Sequence, residues 1–91
     1  MNETNAKALA IQILEYLAGD QEQLSRFMAL TGIEVTELRE MSQSTPFMVA
    51  LLDYLLGNEP TLLSFAAERN IAPTDILKAR HCLERPIETS M

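Results

Sequence analysis

His81 and Cys82 are the residues of this chain whose types come nearest to a catalytic or metal-binding pair. A thiolate activated by a histidine base serves in nucleophilic catalysis, and both side chains are zinc ligands. The two are adjacent, however, and neighbours on a helix point about 100° apart. With one His and one Cys, the chain has too few of these ligands for a zinc site. We therefore expect a surface His81, a half-buried Cys82, no catalytic residue and no metal site.

A second candidate pair is acidic, because Glu15 and Asp53 each directly precede a tyrosine, Tyr16 or Tyr54. If these segments meet across a twofold axis, the two carboxylates could bind a cation or share a proton. The simpler interpretation, which we favour, is that each acid is a solvated charge on its own helix. Nucleotide, zinc-protease, serine-hydrolase and EF-hand motifs are missing from the sequence. The sequence therefore predicts a protein that is not an enzyme and binds no cofactor.

These two acids lie at equivalent positions of an internal repeat. Residues 16–40 align without a gap with residues 54–78, at an offset of 38 (54 − 16). Eight of the 25 positions are identical, where chance would give roughly one or two. The identities are Tyr16/Tyr54, Leu17/Leu55, Gly19/Gly57, Leu24/Leu62, Phe27/Phe65, Ala29/Ala67, Ile33/Ile71 and Thr36/Thr74. About 38 residues bury too little apolar surface alone, so two such units are expected to pack face to face.

The elements that position these residues are all helical. The spacing of apolar residues, together with the positions of Gly and Pro, predicts six helices. Their predicted bounds are near 4–18, from the Asp20 cap to Gly32, near 35–42, near 46–56, from Asn58 or Glu59 to Asn70, and from Pro73 onward. Gly19 and Gly57 are predicted to end helices in the left-handed conformation. Asp20 and Gln23 predict a capping box. The fourth helix, apolar almost all round, is expected to be central.

The resulting expectation is an all-α, compact bundle of about six short helices, built from two quasi-repeated three-helix halves. The halves run roughly over 4–42 and 45–85 of one domain, 1–91, and the tail 86–91 is predicted to be disordered. The expected core consists of Leu14, Leu17, Leu24, Phe27, Leu51, Leu52, Leu55, Leu62 and Phe65, with Ile76, Leu77, Ala79 and Leu83 facing inward on the last helix.

The composition narrows the function classes. Thirteen acids against seven basic residues give a net charge of −6, which disfavours nucleic acids and anionic membranes as partners. The N-terminus lacks the pattern of a signal peptide, and the longest apolar run, Phe47–Leu52, is far too short to span a membrane. The sequence predicts a soluble, cytoplasmic, acidic protein.

Several segments together resemble the domain of unknown function 3572 family. They are YLAGDQEQLSRFMALTGI, followed by Leu38 and Arg39, then LLDYLLGNEPTLLSF and IAP. The resemblance covers nearly the whole chain. It implies a compact all-helical fold and an alphaproteobacterial source, and it brings no activity, cofactor or catalytic residue.

The function predicted from these observations is a non-enzymatic protein-interaction module with an unknown protein partner, and a homodimer is a further option. The alternative is a helix–turn–helix-like DNA-binding or transcription-related protein. The segment FAAERNIAPTDILKARHCL has that cadence, and Arg69, Lys78, Arg80 and Arg85 lie in or just after it. Asp75 and Glu84 lie among these bases, and acids also fill the first copy of the segment.

Overall fold

Six α-helices make up the part of the chain that the computed structural model describes. That part is residues 1–41 and 44–84, apart from the side chains of Arg39 and Glu84. The helices are α1 (Glu3–Ala18), α2 (Gln21–Thr31), α3 (Val35–Met41), α4 (Thr45–Leu56), α5 (Glu59–Arg69) and α6 (Pro73–Glu84). The all-α class and the six helices are thus confirmed. The tail predicted to be disordered, 86–91, lies outside the described residues.

The centre of the fold consists of α1, α4 and α6. Helix α6 packs against both α1 and α4, which also pack against each other, while α2 lies on α1 and α5 lies on α4. Helix α4 is buried on most sides, as its sequence predicts. No extensive helix–helix interface among residues 1–41 and 44–84 includes α3. The third helix therefore lies at the edge of the bundle.

The core agrees with the predicted one in its central members. The side chains of Leu17, Phe27, Leu51, Leu52, Leu55 and Phe65 are completely buried. Leu14, Leu24 and Leu62 are only half-buried, because α1, α2 and α5 each have one face to solvent. On α6, Ile76, Ala79 and Leu83 are buried as predicted. The prediction for Leu77 is wrong, since its side chain is 49% exposed.

Two of the four predicted helix-ending residues adopt the left-handed conformation. Gly32 (φ 78°) ends α2 and Asn70 (φ 56°) ends α5, as Gly and Asn tolerate this conformation best. The prediction for Gly19 and Gly57 is wrong: both are right-handed, with φ of −81° and −91°. The next helix begins two residues later in each case, so the chain turns a tight corner without a left-handed residue.

The capping box predicted at Asp20 is half right. The Asp20 carboxylate accepts hydrogen bonds from the backbone N–H groups of Glu22 and Gln23, so it caps α2. The Gln23 side chain does not complete the box. It turns inward, donates to Thr61 Oγ1 over 3.2 Å and accepts from the Tyr54 hydroxyl over 2.6 Å. A part-buried polar contact with α4 and α5 has replaced a local one.

Helix ends and cross-contacts both follow the 38-residue offset. Helices α2 and α5 differ by 38 at both ends (59 − 21 and 69 − 31), and α3 and α6 begin 38 apart (73 − 35). The ring of Tyr16 meets Phe65 edge-on at 5.3 Å, and the equivalent rings of Tyr54 and Phe27 meet at 5.6 Å. Equivalent positions thus exchange contacts, as residues around a twofold axis do. These contacts support the internal repeat, which itself stays a prediction.

Candidate functional site

Helix α6 presents the His81–Cys82 pair on an open groove. Residues 77, 78, 81 and 82 share one side of the helix, because positions four apart lie above one another. Together with Met1 they line a groove of about 450 Å³. His81 is exposed and Cys82 half-buried, which is the placement predicted from the sequence. In the described part of the chain, no group of three or more His, Cys, Asp or Glu side chains is placed to hold a metal.

The acids Glu15 and Asp53 each contact a different arginine. Glu15 forms an ion pair with Arg69 of α5 over 3.8 Å, whereas Asp53 accepts a hydrogen bond from Arg80 of α6. Both carboxylates are half or more exposed. The shared proton or cation considered from the sequence finds no support in these contacts, and each acid ties its own helix to a neighbour in the second half.

A second, polar pocket lies beside Glu15. It has a volume of about 320 Å³ and is lined by Glu15, Tyr16, Gly19, Asp20, Glu68 and Arg69. The Arg69 guanidinium lies 5.9 Å from the centre of the Phe65 ring and also contacts Glu68 at 3.9 Å. Because that guanidinium is already engaged by two acids and a ring, this pocket offers an incoming anion little.

Within residues 1–41 and 44–84, the most exposed large apolar side chains lie where α2 meets α3. Leu30 is 72% exposed and Val35 is 70% exposed, on either side of the turn at Gly32. Glu34, Glu37 and Glu40 follow within the same short stretch and are also exposed. We call these five residues the α3 surface. Residues 34–40 also include Arg39, so their formal charge is −2 (−3 + 1). The α3 surface combines apolar contact area with this negative charge, which is the composition of a docking surface for a basic, partly apolar partner.

Positioning of the α3 surface follows from local sequence. Gly32 ends α2, and the Glu37 carboxylate accepts a hydrogen bond from the Glu34 backbone N–H over 3.0 Å, which satisfies one free donor at the start of α3. Leu38 and Met41 turn toward the core but are only half-buried. The short helix is thus attached by few apolar side chains, and its charged side stays in water.

The basic residues considered for DNA binding are largely engaged. Arg69 and Arg80 contact acids, Lys78 is exposed on α6, and Arg85 lies outside the described residues. Helix α6 also buries Ile76, Ala79 and Leu83 between α1 and α4. Its outer side therefore offers Lys78 and His81, a small positive feature for a recognition helix.

Sequence reasoning had not singled out Leu30, Val35 or the exposure of Leu77. A signal existed for Val35, since an apolar residue beside three glutamates in a seven-residue helix has little core to enter. No such signal existed for Leu77, whose exposure depends on how α6 rotates between α1 and α4.

Comparison with known proteins places the chain in a family. None of the six helices has the length and apolar character that a membrane crossing requires. Neither curated proteins nor solved structures gave a match. A family model described as "Protein of unknown function (DUF3572)" matches residues 3–86, nearly the whole chain. The resemblance noted from the sequence is thereby confirmed, and the chain belongs to the DUF3572 family.

Proposed function

We propose that this protein is a non-enzymatic interaction module, which binds a protein partner through the α3 surface. The observation that carries the proposal is the exposure of Leu30 and Val35 beside three exposed glutamates. An apolar side chain left in water forgoes about 1.5–3 kcal/mol of burial free energy. A partner that covers both side chains recovers this free energy, and a partner with basic groups also neutralises the glutamates.

Two further features support an interaction role over an enzymatic one. Of the two pockets described above, the α6 groove contains His81 and Cys82 but no acid to orient the histidine, and the pocket beside Glu15 contains neither a cysteine nor a histidine. The part-buried hydrogen bonds of Gln23 with Thr61 and Tyr54 connect α2 to α5 and α4. These polar side chains therefore hold helices together.

DNA binding through α5 and α6 ranks second. The turn at Asn70 followed by Pro73 has the cadence of a helix–turn–helix motif. Phosphate contacts supply most non-specific affinity, so a DNA binder of this size needs several free basic groups on one side. With Arg69 and Arg80 in contact with acids, α6 offers mainly Lys78. Selection from genomic fragments at physiological salt, repeated with Lys78→Glu, tests this alternative.

Site-specific photocrosslinking tests the interaction role. A photoreactive amino acid replaces Val35 or, as a matched control, Leu63, which is 50% exposed on α5 and outside the α3 surface. We expect crosslinked protein in cells of the source organism from position 35 and little from position 63. Equal crosslinking at both positions, or none at position 35, would contradict the proposal.

A further inference from the structure

Two uncovered apolar surfaces of this chain have opposite charge. The α3 surface carries Leu30 and Val35 with three glutamates. The groove on α6, which we call the α6 surface, carries Leu77 at 49% exposure together with Met1, Lys78 and the exposed His81. Both surfaces have apolar area to bury, and their exposed charges differ in sign, with three glutamates on one and Lys78 on the other. Asp75 of α6 lies three residues before Lys78, so the positive charge of the α6 surface is small.

We propose that these surfaces bind each other between two copies of the chain, with the α3 surface of one copy on the α6 surface of the second. The inference rests on the proposed interaction role and names its partner as a second copy. If each copy contributes both surfaces, the assembly closes as a symmetric dimer with two identical contacts. The positions of Glu40 and Lys78 differ by the repeat offset (78 − 40 = 38), so equivalent positions of α3 and α6 carry opposite charges.

Charge also favours the α6 surface of a second copy over other partners for the α3 surface. Nucleic acids and anionic lipids would meet Glu34, Glu37 and Glu40 with like charge, which is unfavourable. Contact between two α3 surfaces would oppose the same glutamates. The α6 surface offers Lys78 with an apolar side chain beside it.

The size of the two surfaces sets the expected strength. Each exposes few large apolar side chains, so the contact falls at the small end of specific interfaces, below about 1,200 Å². Each copy also carries a net charge of −6, and repulsion between copies is screened over about 8 Å at physiological ionic strength. We therefore expect a dimer with Kd on the order of 10–100 μM, which is about −5.5 to −7 kcal/mol.

Sedimentation equilibrium of the full chain at physiological salt, across concentrations up to about ten times that Kd, measures the dimer directly. Glu40→Lys places like charges on the contact, and so does Lys78→Glu; each alone should raise Kd about tenfold. The equimolar mixture of the two variants should associate within about threefold of the parent chain, because both contacts then join opposite charges. Glu40→Lys distinguishes a local contact from general repulsion between the copies. It changes the net charge from −6 to −4 (−6 + 2), which reduces the general repulsion, so weaker association of this variant must come from the contact itself.

Apolar substitutions provide the second arm. Leu77→Ser and Val35→Ser should each raise Kd about five- to tenfold, whereas Leu63→Ser should change it less than twofold. Leu63 is the matched control, since its exposure of 50% equals that of Leu77 within one per cent. Thermal unfolding of every variant should stay within a few degrees of the parent, because all these side chains are exposed.

Three results would overturn the dimer. They are a monomer at all concentrations, a dimer that ignores both charge reversals, and an effect of Leu63→Ser equal to that of Leu77→Ser. Failure of the dimer can be distinguished from failure of the proposed interaction role. A monomer that still crosslinks a different protein through position 35 keeps that role and refutes the second copy as partner.

Discussion

Helices α3 and α6 begin 38 residues apart (73 − 35), the offset of the predicted repeat, yet α6 is central and α3 is peripheral. Both begin after a left-handed residue, and Leu38 of α3 corresponds to Ile76 of α6 (76 − 38 = 38). Ile76 is completely buried and Leu38 only half-buried. Because α6 contacts both α1 and α4, it fills the groove between them, and a second helix cannot enter the same groove.

Length and sequence explain which helix takes the groove. Helix α6 runs for twelve residues and places Ile76, Ala79 and Leu83 on its inner side. Helix α3 has seven residues, and three residues after its end Ser44 caps α4 by accepting a hydrogen bond from the Phe47 N–H. The comparison teaches that a repeated sequence pattern sets where helices begin and end, while competition for one groove decides their packing.

The largest expected loss of stability is at Ile76 of α6, which we compare with the equivalent position in α3, Leu38. Ile76→Ala should destabilise the protein by about 2–5 kcal/mol, because it leaves a cavity between α1, α4 and α6. Leu38→Ala should cost roughly 1 kcal/mol, because the side chain is half in water already. Chemical denaturation measures both values. Leu52→Ala, at another fully buried position, serves as a reference of the same size as Ile76→Ala. Equal losses at positions 38 and 76 would show that α3 is as central as α6.

The next effect concerns the two tyrosines. Tyr54 is 8% exposed and its hydroxyl donates to Gln23, whereas Tyr16 is more exposed and its ring meets Phe65. Tyr54→Phe should cost about 1–2 kcal/mol, since it removes the donor from a part-buried amide oxygen. Tyr16→Phe should stay within about 0.5 kcal/mol. The melting temperature, which falls about 4–8 °C per kcal/mol in a domain of this size, resolves the difference. A larger loss from Tyr16→Phe would reverse the assignment.

The third comparison is between Gly32 and Gly19, for which we expect changes no larger than about 2 kcal/mol. Gly32→Ala should cost about 1–2 kcal/mol, because an L-residue is strained at φ 78°. Gly19→Ala should lie between neutral and about 1 kcal/mol stabilising, because its φ of −81° suits alanine and a Cβ there meets the Tyr16 carbonyl oxygen at an ordinary 3.5 Å. Urea unfolding of both variants checks this. A destabilising Gly19→Ala would contradict the right-handed conformation of that residue.

These differences show how far the sequence leads. Helix ends could be predicted from the sequence because Gly32, Asn70, Pro46 and Pro73 act locally, through backbone conformation. The burial of Leu17, Phe27 and Phe65 could be predicted from the helical spacing of the apolar residues. The direction of Gln23 was not, because a local cap competes with distant partners, Thr61 and Tyr54, that only the tertiary fold supplies.

The candidate surfaces were harder to foresee than the fold. The sequence directed attention to His81, Cys82, Glu15 and Asp53, whose types can do chemistry. The structure gives each acid a separate arginine and directs attention instead to exposed apolar side chains. Exposure depends on helix rotation and on which helix fills a groove, and neither quantity is encoded in a short motif.

Native-state amide hydrogen exchange tests the contrast between α3 and α6 most directly. Amides of residues 79–83 in α6 should exchange only on global unfolding, because their helix is held by α1 and α4. Amides of residues 38–41 in α3 should exchange by local opening, with protection lower by about 2 kcal/mol or more. Working below the dimer Kd keeps association from adding protection. Protection in α3 equal to that in α6 would contradict a central sixth helix and a peripheral third one.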